Sequence, residues 1–422
     1  MSKNIKTNQK MLESVHEKCF KRSVGIDVLK IYAIVMVVLT HCYAPSYVQM
    51  RLPELWIYNA VPIFLIIGSF LYSRKFVEMC AAANTLKEAY SVWLGKQNVK
   101  SFFKRIGIPY LCFMILQLIV LPLVGYAPFQ EVLLNTIKGG MGPGGYYLVV
   151  YLQLFLLTPA LNRLFNKSQI AAFALCFIVQ LAVDCIMHYL SLNVSAIFTD
   201  INKYVSLRFL TFFICGIAIR NNYFKISNII IDISILFGFL VSAVRYIDGL
   251  TGIYVIDSAL GIIQGLFWCG GIVCMVMKLL ENCCKEIKCV KFVAASTLHI
   301  LLLQQLYFCC VGTARHIAYI DAPIALLGGM IAFIMHKQIA NLSNKILVNR
   351  KDKKKNINGI CRFFVCAHIY MNAHTHMRAH ACDMRTRIYF GFPFASKQWT
   401  FKTKRLILLY MKKILKFLQK LA

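Results

Sequence analysis

Charge is what this sequence has least of. Asp, Glu, Lys and Arg together make up 15% of the 422 residues while hydrophobic residues make up 59%. A soluble domain of this length carries about a quarter charged residues, so that class is excluded. Residues 1–25 are polar and the first apolar run is as long as a membrane span, so a secretory signal is missing too. The glycine-rich stretch KGGMGPGGYY (138–147) lacks the Gly-Lys-Ser/Thr ending of a phosphate loop and precedes an apolar run, which excludes an ATP-driven machine of that type. Nor is there a disulfide framework. The seventeen Cys are odd in number, and many sit inside apolar runs (Cys42, Cys112, Cys176, Cys185, Cys215, Cys269, Cys274, Cys309, Cys310), where Cys behaves as a small hydrophobe. Metal is not expected: Cys283, Cys284 and Cys289 have no neighbouring His, and His368, His374, His376 and His380 follow no familiar ligand spacing.

What is present is a series of apolar runs, at about 28–49, 53–73, 106–127, 146–165, 169–190, 205–222, 228–247, 253–280, 297–314 and 322–347. Each is close to the ~20 residues that cross a bilayer as helix. Backbone in hydrocarbon must satisfy its own hydrogen bonds, so the expected fold is an all-α polytopic membrane protein, a bundle of about ten transmembrane helices. Three parts are expected: an N-terminal segment (1–25), the helical domain (26–348) and a basic tail (349–422).

Lys and Arg placement predicts orientation. With the N-terminus in the cytoplasm, the inward segments before residue 350 hold 23 Lys and Arg, against five in outward loops: Arg51, Lys138, Lys203, Arg245 and Arg315. That bias predicts N-in and C-in. Residues 350–422 carry 17 Lys and Arg against two Asp, so half of the chain's net +30 sits in the tail. The tail reads as disordered, with a closing stretch KRLILLYMKKILKFLQKLA (404–422) patterned as a basic amphipathic helix on an anionic leaflet. That charge has membrane lipid as its partner, and nucleic acid is not expected.

The first run, IDVLKIYAIVMVVLTHC (26–42), keeps three ionisable groups. At 100° per residue, His41 returns to within about 20° of Lys30 and about 40° of Asp27, so all three share one face. Charge facing lipid costs several kcal/mol, so that face should line the interior or a polar cavity. Asp27 and Lys30 also fit the flanking charges of an ordinary helix end. His41 is the group whose proton affinity suits acid or base work near neutral pH.

The pattern of an acid, a basic residue three later and a His eleven beyond, in a first helix rich in Ala, Ile and Val, resembles the integral membrane acyltransferase family 3. The likeness extends over residues 22 to about 345. VPIFLIIGSFLYSRKF (61–76) is similar to the family's second helix, with Gly68-Ser69 in place of the usual Ser-Gly. FFKRIGIPYL (102–111) resembles the basic entry to the third, where the second of two Arg falls on Arg105 but the first falls on Phe102, leaving Lys104 as substitute. GPGGYYLVVYLQLFLLTPAL (142–161), LRFLTFFICGI (207–217) and STLHILLLQQL (296–306) resemble later helices, the last with Gln304 where members carry His.

The resemblance implies a membrane O-acyltransferase that moves an acyl group, by expectation acetyl, from acyl-CoA to a hydroxyl of a cell-surface sugar, polysaccharide or lipid-linked precursor at the plasma or inner membrane. Acyl-CoA is then a donor substrate and no cofactor is bound. His41 becomes the general base, Asp27 tunes a basic neighbour, and Lys30, Lys104 and Arg105 meet the CoA phosphates. Arg208 stabilises the oxyanion or fixes the acceptor, with a snorkelling interfacial Arg as the plain alternative. Tyr146 and Tyr147 stack on a sugar, or simply cap a flexible turn. Asp184 and His188, at i and i+4, are expected to pair without a catalytic role. A secondary transporter of polysaccharide units is the rival reading of the same polar-cored spans.

Overall fold

The computed structural model describes residues 24–43, 53–137, 139–142, 144–195, 197–222, 225–247, 253–281, 287–311 and 318–349. The expectations for the N-terminal segment, for the tail, and for Arg51, Lys138, Cys283, Cys284 and Arg315 lie outside the described residues. Among the described residues every regular element is helical: α1 Val24–Cys42, α2 Pro53–Trp56, α3 Ala60–Cys80, α4 Leu86–Trp93, α5 Lys96–Phe102, α6 Ile108–Leu123, α7 Phe129–Ile137, α8 Tyr146–Lys167, α9 Gln169–Asn193, α10 Ile197–Tyr204, α11 Leu210–Asn222, α12 Asn228–Ile247, α13 Tyr254–Leu279, α14 Lys288–Val311 and α15 Ala318–Asn349. A π-helical turn, Phe103–Gly107, joins α5 to α6, and a 3₁₀ turn, Ser206–Phe209, leads into α11. Nine helices among the described residues are long and apolar enough to cross a bilayer: α1, α3, the continuous run Lys96–Leu123, α8, α9, α12, α13, α14 and α15. The fold is the all-α polytopic bundle expected.

Two expected spans differ in extent, each for a local reason. The run at 53–73 is broken, and α3 does not begin until Ala60. The break is held by side chains from elsewhere: the Tyr32 hydroxyl donates to the Trp56 carbonyl at 3.0 Å, and Trp268 Nε1 to the Leu55 carbonyl at 3.0 Å. The run at 205–222 yields α11, whose 13 residues fall short of the ~20 that span a bilayer. Its N-terminal amides would be orphaned in an apolar interior, and two buried or half-buried glutamines take them up. The Ser206 amide donates to Gln153 Oε1 at 2.9 Å and the Thr211 amide to Gln180 Oε1 at 3.0 Å.

The chain divides into two compact units, residues 1–118 with 129–330, and residues 119–128 with 331–422. In the first, α3 and α11 meet so closely that a Cβ on Gly216 would overlap Ser69 Oγ and the Ile66 carbonyl, which is why glycine stands there. In the second, Gly125 ends the α6 helix at φ +72°, a left-handed conformation that glycine adopts without strain, and the Tyr126 amide closes the turn on the Leu121 carbonyl at 3.0 Å. Lys337 lies over the Phe333 ring at 4.6 Å.

The segment between the second and third spans is not a bare charged loop. α4 starts with Thr85, whose hydroxyl accepts the Glu88 amide at 3.2 Å, while Glu88 Oε2 accepts the amides of Asn84 and Thr85. Those backbone bonds hold the Glu88 carboxyl below its usual range, so this cap weakens as pH falls through that lowered value. Arg163 donates to the Ala83, Asn84 and Thr85 carbonyls and ties the same turn to α8. Pro159 sits inside α8 and has no amide for the Phe155 carbonyl one turn back. Trp93, fully buried, fills that role: its Nε1 donates to the Phe155 carbonyl at 2.9 Å. Around this bond Phe102 packs on Phe155 at 4.4 Å between centroids, Trp93 on Phe155 at 5.0 Å, and Tyr72 on Phe155 at 5.5 Å. Trp93→Phe should therefore keep most of the packing yet strand a buried carbonyl, lowering thermal stability in detergent by about 1–3 kcal/mol. Unchanged stability would show that the bond contributes nothing.

Candidate functional site

α1 is one unbroken helix, so Asp27, Lys30 and His41 do share a face. Asp27 is buried, and Lys30 and His41 are half-buried. A rise of 1.5 Å per residue separates the levels of Lys30 and His41 by about 16 Å. At its far end the His41 ring meets Phe308 of α14 edge-on, 5.8 Å between centroids. Ile300, Leu301 and Phe308 of α14 pack with Ile34, Val37, Val38 and Cys42 in one apolar cluster. Because α1 ends at Cys42, residues preceding Phe308 can lie along α1 only if the two helices run the same way. Next to Phe308, the Tyr307 hydroxyl donates to the buried Asp321 carboxylate at 2.5 Å. No periodicity in the sequence pointed to Asp321, because its partner lies on another helix.

The glycine-rich stretch lies over α6 and α14. Gly139, Gly140, Gly142 and Gly144 all have positive φ. The Met141 main chain is clamped by fully buried Gln117, whose Oε1 accepts the Met141 amide at 3.0 Å and whose Nε2 donates to the Met141 carbonyl at 2.7 Å. A Cβ on Gly140 would come within 2.8 Å of Gln117 Oε1 and 3.4 Å of Gln305 Oε1, and one on Gly142 within 2.7 Å of the Gln305 carbonyl. Among the described residues of the stretch, Gly140, Met141 and Gly142 thus lie against Gln117 and Gln305.

Tyr146 and Tyr147 start α8 and diverge. Tyr147 stacks on Tyr151 at 5.7 Å and packs on Phe64 at 5.8 Å, beside the α1–α14 cluster. Tyr146 packs on Tyr204 at 6.5 Å and lies within electrostatic reach of Arg208. Arg208, in the 3₁₀ turn before α11, pairs with Asp184 of α9 at 3.5 Å, and Ser258 donates to the other Asp184 oxygen at 3.4 Å. The expected Asp184–His188 pair is not what forms: His188 instead stacks flat on Tyr254, 3.6 Å between centroids. Arg208 therefore has its charge compensated by Asp184 of α9.

Lys104 and Arg105 lie together in the π-helical turn, a distortion that often accompanies a functional site. With Gln97, Lys100 and Ser101 they line an open pocket of about 350 Å³, a cationic site without an acidic side chain among its lining residues. Lys100 was not singled out by the sequence pattern. Arg105 also lies within electrostatic reach of Tyr72 and Tyr151. Phe102, at the place of the family's first Arg, is committed to the aromatic packing around Phe155. Lys30 is not among the residues lining this pocket. Among the described residues no group of His, Cys, Asp and Glu is placed to hold a metal ion.

Comparison with curated proteins and with solved structures gives no match. The family model described as an acyltransferase domain does match, over residues 23–335. The chain is therefore a multi-pass membrane protein that belongs to the integral membrane acyltransferase family 3.

Proposed function

We propose that this acyltransferase takes its acyl group, acetyl by preference, from acyl-CoA on the cytoplasmic side and transfers it to a hydroxyl of a cell-surface sugar or polysaccharide at the plasma or inner membrane. The observation that carries this reading is the pairing of a cationic pocket, built from Lys100, Lys104 and Arg105, with an interior His41 on a separate helix. Phosphates of a CoA head need charge and donors, which the pocket has. Lys30, at the entry end of α1, adds a further cation for the donor, and both termini lie in the cytoplasm in this reading.

His41 then acts as general base. The acceptor oxygen attacks the thioester carbonyl while its proton passes to His41; collapse of the tetrahedral adduct breaks the C–S bond, and the proton leaves with the CoA sulfur. Buried Asp27 tunes the basic neighbour on its own face. Tyr146 and Tyr147 offer aromatic faces to the acceptor sugar, and Arg208, close to Tyr146, fixes that acceptor or stabilises the oxyanion.

Purified protein in liposomes with labelled acetyl-CoA and a glycan acceptor should release free CoA in step with acylated glycan. Movement of glycan without CoA release would leave transport as the activity. Arg105→Ala should raise KM for acetyl-CoA about tenfold or more with little change for the acceptor, and Arg105→Lys should keep part of the function, because a phosphate needs charge more than a fork. Equal effects on both substrates would remove Arg105 from donor binding.

A further inference from the structure

Gln304 and Gln305 are consecutive on α14, and both are fully buried. Among the described residues, neither the amide nitrogen nor the carbonyl oxygen of either side chain has a hydrogen-bond partner. Four such atoms in the interior of a membrane helix are expensive. A buried donor or acceptor left unmade costs about 1–3 kcal/mol, and a native protein keeps such a cost where a function uses the group. The other buried glutamines discussed above are engaged: Gln117 clamps Met141 and Gln180 accepts the Thr211 amide.

Their position gives the cost a purpose. Ile300 and Phe308 are one turn before and after Gln304 and belong to the cluster with α1, so Gln304 lies on the face of α14 turned to α1. With α1 and α14 running the same way, Gln304 is about 6 Å from the level of Phe308 and His41 towards the Lys30 end. Gln305, about 100° further round, has its Oε1 under Gly140. Gln304 thus faces α1 and Gln305 faces the glycine-rich stretch, so the two carboxamides flank one line along α14.

We propose that Gln304 and Gln305 bind the amide-bearing arm of the acyl-CoA donor, midway between the phosphate end and the thioester at His41. This rests on the donor reading above. The arm between the CoA phosphates and the sulfur carries two secondary amides, each a donor and an acceptor joined in one planar group. A Gln side chain presents the complementary pair and bears no charge, so it holds a neutral arm without the desolvation cost of an ion. The cationic pocket fixes the phosphates, and the glutamines set how far along the helix the thioester reaches.

The test uses the full chain in nanodiscs, with CoA and adenosine 3′-phosphate 5′-diphosphate as probes, the second having the same phosphate groups but no arm. Gln304→Leu should weaken CoA about tenfold to a hundredfold, leave the armless nucleotide unchanged, and raise thermal stability of the unliganded protein, because an unpaired buried group is gone. Gln304→Met, which keeps the unbranched shape, serves if the Leu variant folds poorly, and Gln305→Met should act in the same direction. Equal loss for both probes, a loss only in KM for the glycan acceptor, or no loss at all would overturn the assignment. Wild-type protein that binds neither probe would instead refute the CoA donor itself, which separates failure of the donor reading from failure of this one.

Discussion

His41→Gln should leave the protein inserted and as abundant as the wild type, yet without measurable glycan acylation. The carboxamide keeps much of the size of the imidazole and some of its hydrogen bonding, but it takes up no proton near neutral pH. Loss of general-base catalysis alone removes on the order of 10²–10⁴ in rate. His41→Ala should be equally inactive and only modestly less stable. His41 is half-buried with Phe308 edge-on at 5.8 Å, so little packing goes with the ring. A His that merely packs gives the opposite order, with Gln tolerated and Ala unstable. Surface O-acetyl measured by NMR in cells carrying each variant decides between them, and an active Gln variant ends the catalytic assignment.

The parts of this protein visible in its sequence are those that depend on local spacing. The spans follow from hydropathy, and the shared face of Asp27, Lys30 and His41 follows from the helical period, because all three sit on one unbroken helix. Lys104 and Arg105 were legible through the resemblance of FFKRIGIPYL to a basic helix entry. What stayed hidden depends on contacts between distant segments. Trp93 and the Phe155 carbonyl are 62 residues apart, and their bond makes sense only once Pro159 is seen to free that carbonyl. Gln117 meets Met141 across 24 residues. The short α11 looked like a full span by hydropathy because its apolar run includes the 3₁₀ turn, whose amide at Ser206 is capped by Gln153 on another helix. Asp184 shows the limit most clearly: a sequence displays its i+4 neighbour His188, whereas its actual ion partner is Arg208, 24 positions on.

That ion pair carries the second large effect. Asp184 retains 9% of its side-chain exposure and Arg208 30%, at 3.5 Å apart. Removing one member of such a pair strands the other, at a cost of about 3–5 kcal/mol when the stranded charge is buried. Arg208→Met strands the more buried group and should be the more destabilising single change, near 3 kcal/mol or above, read as a drop in the thermal midpoint and in yield. Asp184→Leu leaves Arg208 partly able to reach a polar boundary, so its penalty should be smaller. The double variant, Arg208→Met with Asp184→Leu, should recover most of the stability, since replacing a buried pair by apolar groups of similar volume is close to neutral. Its activity then separates the two roles open to Arg208. If the guanidinium, beside Tyr146, holds the acceptor or the oxyanion, the double variant is stable and inactive, with CoA binding unchanged. If the pair serves only to anchor the start of α11 against α9, activity returns with stability, and Arg208 leaves the list of reacting groups.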